Sequence, residues 1–462
     1  MDLLIRGGVV VTADFADNAD VAVDGGRIAA ICRPGVLRSA DRVLDASGML
    51  VMPGLIDPHT HMAHPFNNTV SRDDFYTGTL AAAYGGNTTI IDFAIQRDKD
   101  PMETILTRRQ AADGNVVIDY SLHSCLTKST QTTVDAVRSV IQYGIPSFKL
   151  YMIYRKQGRM VDDAVLLKVL QASAPEGGLV GVHAENAAIA EFNEEAMLAA
   201  GNVGPQYFPL SKPNIVEAEC INRAIFLNEY ARSNLYIFHL STREGFSLVR
   251  QAKARGERVV AETCTHYLAL TDDCYKRQDG INFVCSPPLR SSGDGEALWA
   301  ALRDETLSVV SSDHCCFDRA QKLLGDNDFT NTPNGLPGVE CRFPVLFSEG
   351  VVKGRISMAR FVSLVSTNPA KIFGLYPRKG AIAVGSDADM ILVDPSAEWT
   401  IGPDTLHTQC DWSPFDGLLV TGKVVSTISR GNMVIENGVF KGQKGSGRFL
   451  VRPVGQGRPW QC

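Results

Sequence analysis

Short β-branched runs that end on a polar residue recur along the chain. Each is followed by a longer stretch whose apolar positions return every three or four residues. The runs are GLIDPHTH at 54–61, TTIIDFA at 88–94, VVIDYSLHS at 116–124 and IPSFKLYM at 145–152. They continue with LVGVHAE at 179–185, NLYIFHLS at 234–241, RVVAETCTHY at 258–267 and LSVVSSDH at 307–314. Between them, DDAVLLKVLQASA and EGFSLVRQAKARG carry helical periodicity, the second closed by a glycine. Near-continuous apolar strands alternating with helices imply a parallel sheet covered on both faces. Eight such units over roughly 250 residues predict a TIM-like (β/α)8 barrel over residues 53–379, an α/β fold, with a doubly wound open sheet as the alternative.

The two ends carry a different pattern. Residues 1–52 and 380–442 show short alternating strands and turns, such as DVAVDGGRIAAI and GKVVSTISRGNMVIENGVF. They predict one small β-sandwich built from both termini. The last stretch, 443–462, is Gly-rich and basic without acids, and reads as an extended arm packing on a neighbour or as disordered.

Composition narrows the function classes. A 462-residue chain that is 45% hydrophobic and 21% charged can bury a sizeable core, and a net charge of −6 argues against nucleic acid and anionic membrane partners. No apolar run approaches the roughly 18–20 residues of a membrane span, and no secretory pattern opens the chain. Eleven cysteines, scattered without C-x-x-C spacing, read as reduced and mostly buried thiols of a cytoplasmic protein.

The chemistry gathers at the ends of the runs. Residues i and i+2 of a strand share a face, so His59 and His61 point the same way at the C-terminal end of the first strand, where barrel active sites are built. His183, His239 and Asp313 end the fifth, sixth and eighth strands. Imidazole and carboxylate converging on one mouth suit divalent metals, zinc first. Lys149 lies in the fourth strand, where a charged ammonium is costly. As a neutral amine it can take up carbon dioxide to form N6-carboxylysine, an anionic ligand able to bridge two ions; a lysine paired with a nearby carboxylate is the alternative.

The ordered set PGLIDPHTHM, SFKLYM, VHAEN, AETCTHYL, CSPPLR, SSDH, NGLPGVE and NPAKIFGLYPRKGAIAVGSDADMILVDP resembles the dihydropyrimidinases and hydantoinases, the cyclic-amidase branch of the binuclear amidohydrolases. The resemblance implies that His59, His61 and Asp313 hold one zinc ion and His183 and His239 the other, with carboxylated Lys149 and a hydroxide between them. It further implies that Tyr154 polarises the scissile carbonyl and that Ser286 and Asn334 read the ring amide through their main chains. Asp313 then shuttles the proton. The expected reaction opens 5-substituted hydantoins or dihydropyrimidines to N-carbamoyl amino acids in a homotetramer or homodimer. Allantoinase or another cyclic amidase is the neighbouring reading, and a non-enzymatic scaffold is disfavoured because every ligand position is filled.

The loops Met62–Ser71 and Tyr151–Met160 are expected to shape the pocket for the ring substituent. A wall of Met62, Phe66 and Tyr151 favours apolar or aromatic groups, with Arg155, Lys156 and Arg159 in solvent. His64 reads as a loop histidine, His123 and His266 as supporting residues, and Cys315 as a thiol without a ligand role.

Overall fold

The computed structural model describes residues 1–66 and 68–453. All eight predicted runs form strands: Leu55–Thr60, Asn87–Ile95, Asp119–Leu126, Ser147–Tyr151, Leu179–His183, Leu235–Ile237, Val259–Cys264 and Val309–Ser311. They pair in parallel in chain order. The ring closes through a parallel bridge between Thr60 and His314, with the His61 amide donating to the His314 carbonyl at 2.8 Å. The barrel is therefore the architecture, and the open-sheet alternative falls.

The sixth and eighth strands end early. His239 and Asp313 each lie two residues past the paired segment, on left-handed backbone at φ 39° and 49°. They belong to turns at the barrel mouth, not to strand ends, which is where their side chains gain the freedom to face inward. The barrel interior is filled by Ile56, Ile91, Phe93, Tyr236, Phe238 and Val260 among others. A Cβ at Gly181 would collide with the Phe238 ring, so the small residue in LVGVH makes room for that aromatic.

Both ends of the chain enter one sheet. Leu3–Val11, Ala16–Asp24, Arg27–Cys32, Arg42–Asp45 and Leu50–Pro53 are joined, through antiparallel pairing of Leu50–Pro53 with Met390–Thr400, to Leu419–Ser429, Asn432–Glu436 and Val439–Phe440. The far edge returns on itself: Ile28 donates to the Ser386 carbonyl at 2.9 Å and Gly385 to that of Ile28 at 2.8 Å. The layers are thus one hydrogen-bonded sheet curled over a core of Val10, Val21, Val51, Met390, Leu392 and Ile428.

The arm differs from the expectation. Up to residue 453 it packs on its own barrel: Leu450 donates to the Tyr120 carbonyl at 2.7 Å, and Arg452 sits fully buried at the foot. There its Nε donates to Ser121 Oγ at 2.9 Å and its Nη2 to Ser147 Oγ at 2.8 Å. Desolvation pulls this guanidinium down to about 9, the cost of inserting a cation that no acid among the described residues neutralises. Residues 454–462 lie outside the described residues. No described helix is long and apolar enough to cross a membrane, and the ten cysteines of the described residues are free thiols, eight of them buried.

Candidate metal centre

The mouth brings the six predicted residues together. Asp313 Oδ1 lies 2.9 Å from His59 Nε2 and 3.2 Å from His61 Nε2, and the ligand atoms of these three residues all fall within 4.8 Å of one another. Lys149 Nζ is 3.0 Å from His59 Nε2. The His183 and His239 rings stand 4.3 Å apart, and His239 is 5.4 Å from His59.

Carboxylates behind the ring set the imidazoles. Glu262, fully buried, lies 2.5 Å from His59 Nδ1, accepts from the His239 amide at 3.2 Å and from Tyr236 Oη at 2.8 Å. Glu185 takes His183 Nε2 at 2.6 Å and the Ser286 hydroxyl at 2.7 Å. These contacts use Nδ1 of His59 and Nε2 of His183, leaving His59 Nε2, which meets Asp313 and Lys149, and His183 Nδ1 as the ligand atoms, the arrangement in which an outer carboxylate orients a metal-binding histidine. His314, next to Asp313, donates from Nε2 to Asp73 at 3.1 Å while its Nδ1 accepts from the Gly338 amide at 3.1 Å. That clamp fixes the turn that carries Asp313.

The donor set fits divalent ions. Both nitrogens of His239 and Nδ1 of His61 are buried with no hydrogen-bond partner, which is costly unless a cation takes the lone pairs. Burial is also the largest influence on His61, lowering it to about 3 and keeping the ring neutral. Lys149 is 1% exposed, and its Nζ faces the Phe93 and Phe238 rings at 4.3 and 4.8 Å. No carboxylate of the described residues lies within ion-pair distance of it, so the paired-lysine alternative does not hold. Burial lowers its pKa, with Asp313 only partly opposing.

Tyr154 Oη accepts from Asn334 Nδ2 at 3.2 Å, and Ser286 Oγ accepts from Lys212 Nζ at 2.7 Å. All three expected substrate residues therefore line one wall. Tyr154 itself adopts φ 67°, and Gly335 behind it, at φ 149°, passes so close to the Cys315 carbonyl that a side chain would clash. Strained backbone concentrated at the mouth is the pattern of a built site.

Other expectations need correction. Met62 is fully buried against Gly78 and takes no part in the pocket. His64 is a buried pocket residue, held by its amide's bond to Ser71 Oγ at 2.7 Å. Arg159 also lines the pocket, whereas Arg155 and Lys156 are exposed and pair with Glu191 and Glu195. His123 is a supporting residue as expected, bonded to Ser147 Oγ and the Pro58 carbonyl. Glu262, Glu185 and Lys212 were not singled out; an acid inside the apolar run RVVAETC, as odd there as Lys149 in its own, was the available signal.

The Amidohydrolase family model matches residues 50–434. The D-hydantoinase of Geobacillus stearothermophilus is 42% identical over 98% of this chain and 97% of its own. Among solved structures, the D-hydantoinase of Bacillus sp. AR9 superposes with a TM-score of 0.96 at 43% identity, covering 98% of this chain and 100% of that one. The dihydropyrimidinase of Brevibacillus agri NCHU1002 gives 0.96 at 42% identity over 98% and 99%.

Proposed function

The chain belongs to the amidohydrolase family, and on that premise we propose that it hydrolyses the cyclic amide of 5-substituted hydantoins or dihydropyrimidines to N-carbamoyl amino acids. The observation that carries this reading is the convergence of four histidines, Asp313 and an unpaired buried lysine beside the Tyr154–Asn334–Ser286 wall. His59, His61 and Asp313 would hold one zinc ion and His183 and His239 a second, with Lys149, carboxylated on Nζ, between them. Two such ions supply the Lewis acidity that brings a water molecule's pKa towards neutrality.

The chain's own groups do the rest. Burial raises the Tyr154 phenol, so it keeps its proton at neutral pH and donates a hydrogen bond to the carbonyl oxygen as charge develops there. Asp313 accepts a proton on the carboxylate oxygen not turned to His59 and His61 and returns it to the departing ring nitrogen. Ser286 and Asn334 present their main chains to the ring amide, with Lys212 and Glu185 locking the Ser286 hydroxyl. Two further assignments are a cytoplasmic location, supported by the free cysteines, and a homotetramer or homodimer. The latter is supported by exposed Phe192, Ile215, Phe226 and Tyr230 on the helices Ala187–Ala199 and Asn214–Ala231.

Purified protein supplied with hydantoin, dihydrouracil, allantoin and dihydroorotate tests the reading. Hydantoin or dihydrouracil is opened, chelation abolishes the activity and zinc restores it. Turnover of allantoin or dihydroorotate alone, or full activity after exhaustive chelation, overturns it.

A further inference from the structure

The pocket above the metal ligands has two unlike sides. One is the amide-reading wall of Tyr154, Ser286 and Asn334; the other is formed by His64, Phe66 and Arg159. The Arg159 guanidinium lies 5.7 Å from the Phe66 ring centre and 6.0 Å from those of Tyr151 and Tyr154, enclosed by three aromatic faces. It donates to His64 Nε2 at 3.2 Å and to the Pro65 carbonyl at 2.9 Å. Because His64 Nε2 accepts, that imidazole is neutral: it aims the guanidinium without cancelling its charge.

Of the other cations of the surrounding cleft, about 850 Å³ in volume, all but the exposed Arg97 are committed to carboxylates, and Arg97 does not line the pocket over the metal ligands. Lys212 serves Glu185 at 3.7 Å, Lys156 pairs with Glu195 and Lys128 with Asp98, both at 3.5 Å. Arg159 has no carboxylate within ion-pair distance among the described residues. An oriented, uncompensated and weakly hydrated guanidinium, walled by aromatic rings, matches the planar two-oxygen geometry of a carboxylate. Tyr154 joins the two sides: its hydroxyl is held by Asn334 on the amide-reading wall and its ring faces the Arg159 guanidinium, so this side adjoins any ring bound at that wall.

We propose that Arg159 determines specificity on the substituent side, and that the cyclic ureides this enzyme prefers carry a carboxylate on the ring substituent. The proposal rests on the reading of the protein as a cyclic-ureide hydrolase and reverses the apolar preference that the aromatic loops alone imply. Phe66 and Tyr151 form the sides of the slot, and Arg159 its end.

The test compares racemic 5-(2-carboxyethyl)hydantoin with the isosteric 5-(2-carbamoylethyl)hydantoin, and with unsubstituted hydantoin as a reference for the ring chemistry. The holoenzyme favours the carboxylate over the amide in kcat/KM. In Arg159→Met this ratio falls by roughly ten- to a hundredfold, as expected for loss of a charged hydrogen-bond partner, and the loss appears mainly in KM. Arg159→Lys retains part of the ratio. Isothermal titration with N-carbamoylglutamate, the product, gives the same order of affinities without turnover. Damage to the fold lowers both substrates together and leaves the ratio unmoved. A wild-type ratio at or below one, or a ratio unchanged in Arg159→Met, overturns the proposal while hydantoin turnover keeps the hydrolase reading. Failure to open any of the three rings overturns the proposal, and failure on dihydrouracil as well overturns both.

Discussion

Two lysines, Lys149 at the barrel mouth and Lys379 at its foot, are each 1% exposed, yet their surroundings give them opposite character. Lys379 Nζ lies 2.7 Å from Asp119, 3.1 Å from Asp387 and 2.6 Å from Asp389. Burial pulls its pKa down, but the three acids more than compensate and raise it. Lys149 faces histidine and aromatic rings, and burial lowers it. Desolvation is common to both; the partners decide whether the result is a structural rivet or a nucleophilic amine. Asp119 opens the third barrel strand and Asp389 precedes the strand Met390–Thr400, so the Lys379 cluster pins barrel to sheet.

The contrast can be broken at either lysine. Lys149→Ala is expected to lower kcat on the order of 10³-fold, through loss of the shared metal ligand. Thermal melting of the metal-free protein holds or rises, since a costly buried amine is gone. Steady-state kinetics with metal analysis and a melting curve check both halves, and a variant that melts early at normal kcat would make Lys149 structural. Lys379→Met removes the shared cation of three buried carboxylates, leaving Arg378 on Asp387 and Arg430 on Asp119 but Asp389 without a cation, and should cost about 3–5 kcal/mol of stability. Denaturant titration reads this, with kcat per folded molecule retained.

A pH series sharpens the second half. The folded pKa of Lys379 is raised above its ordinary 10.5. Its ion-pair contribution is therefore complete below that value and is lost only as pH rises through the higher folded one. The stability gap between wild type and Lys379→Met should stay level from pH 7 to 9 and narrow only above 10.5. A gap that closes nearer neutrality would mean the three acids do not hold the charge.

Most of the mouth was legible because strand periodicity and ligand chemistry are local signals. His59-x-His61 gives a shared face, and Lys149 within SFKLYM is conspicuous wherever the strand lands. What escaped depends on distant partners. Glu262 becomes an orienting group only when it meets His59, and Arg159 turns into the pocket only because His64 and Pro65 receive it. Alternation could place strands at both termini but not reveal that Leu50–Pro53 pairs with Met390–Thr400, and a Gly-rich basic tail gave no hint that Arg452 plugs the foot.

That terminal sheet also sets an order of events during synthesis. The strand Leu50–Pro53 leaves the ribosome with one edge bare until Met390–Thr400 follows. At about 5–20 residues per second the wait is on the order of tens of seconds. Over that interval the nascent N-terminal strands expose unpaired backbone while the barrel assembles beside them, the condition that invites edge-to-edge aggregation and chaperone capture. Expression yield should therefore depend on how quickly the intervening barrel is translated.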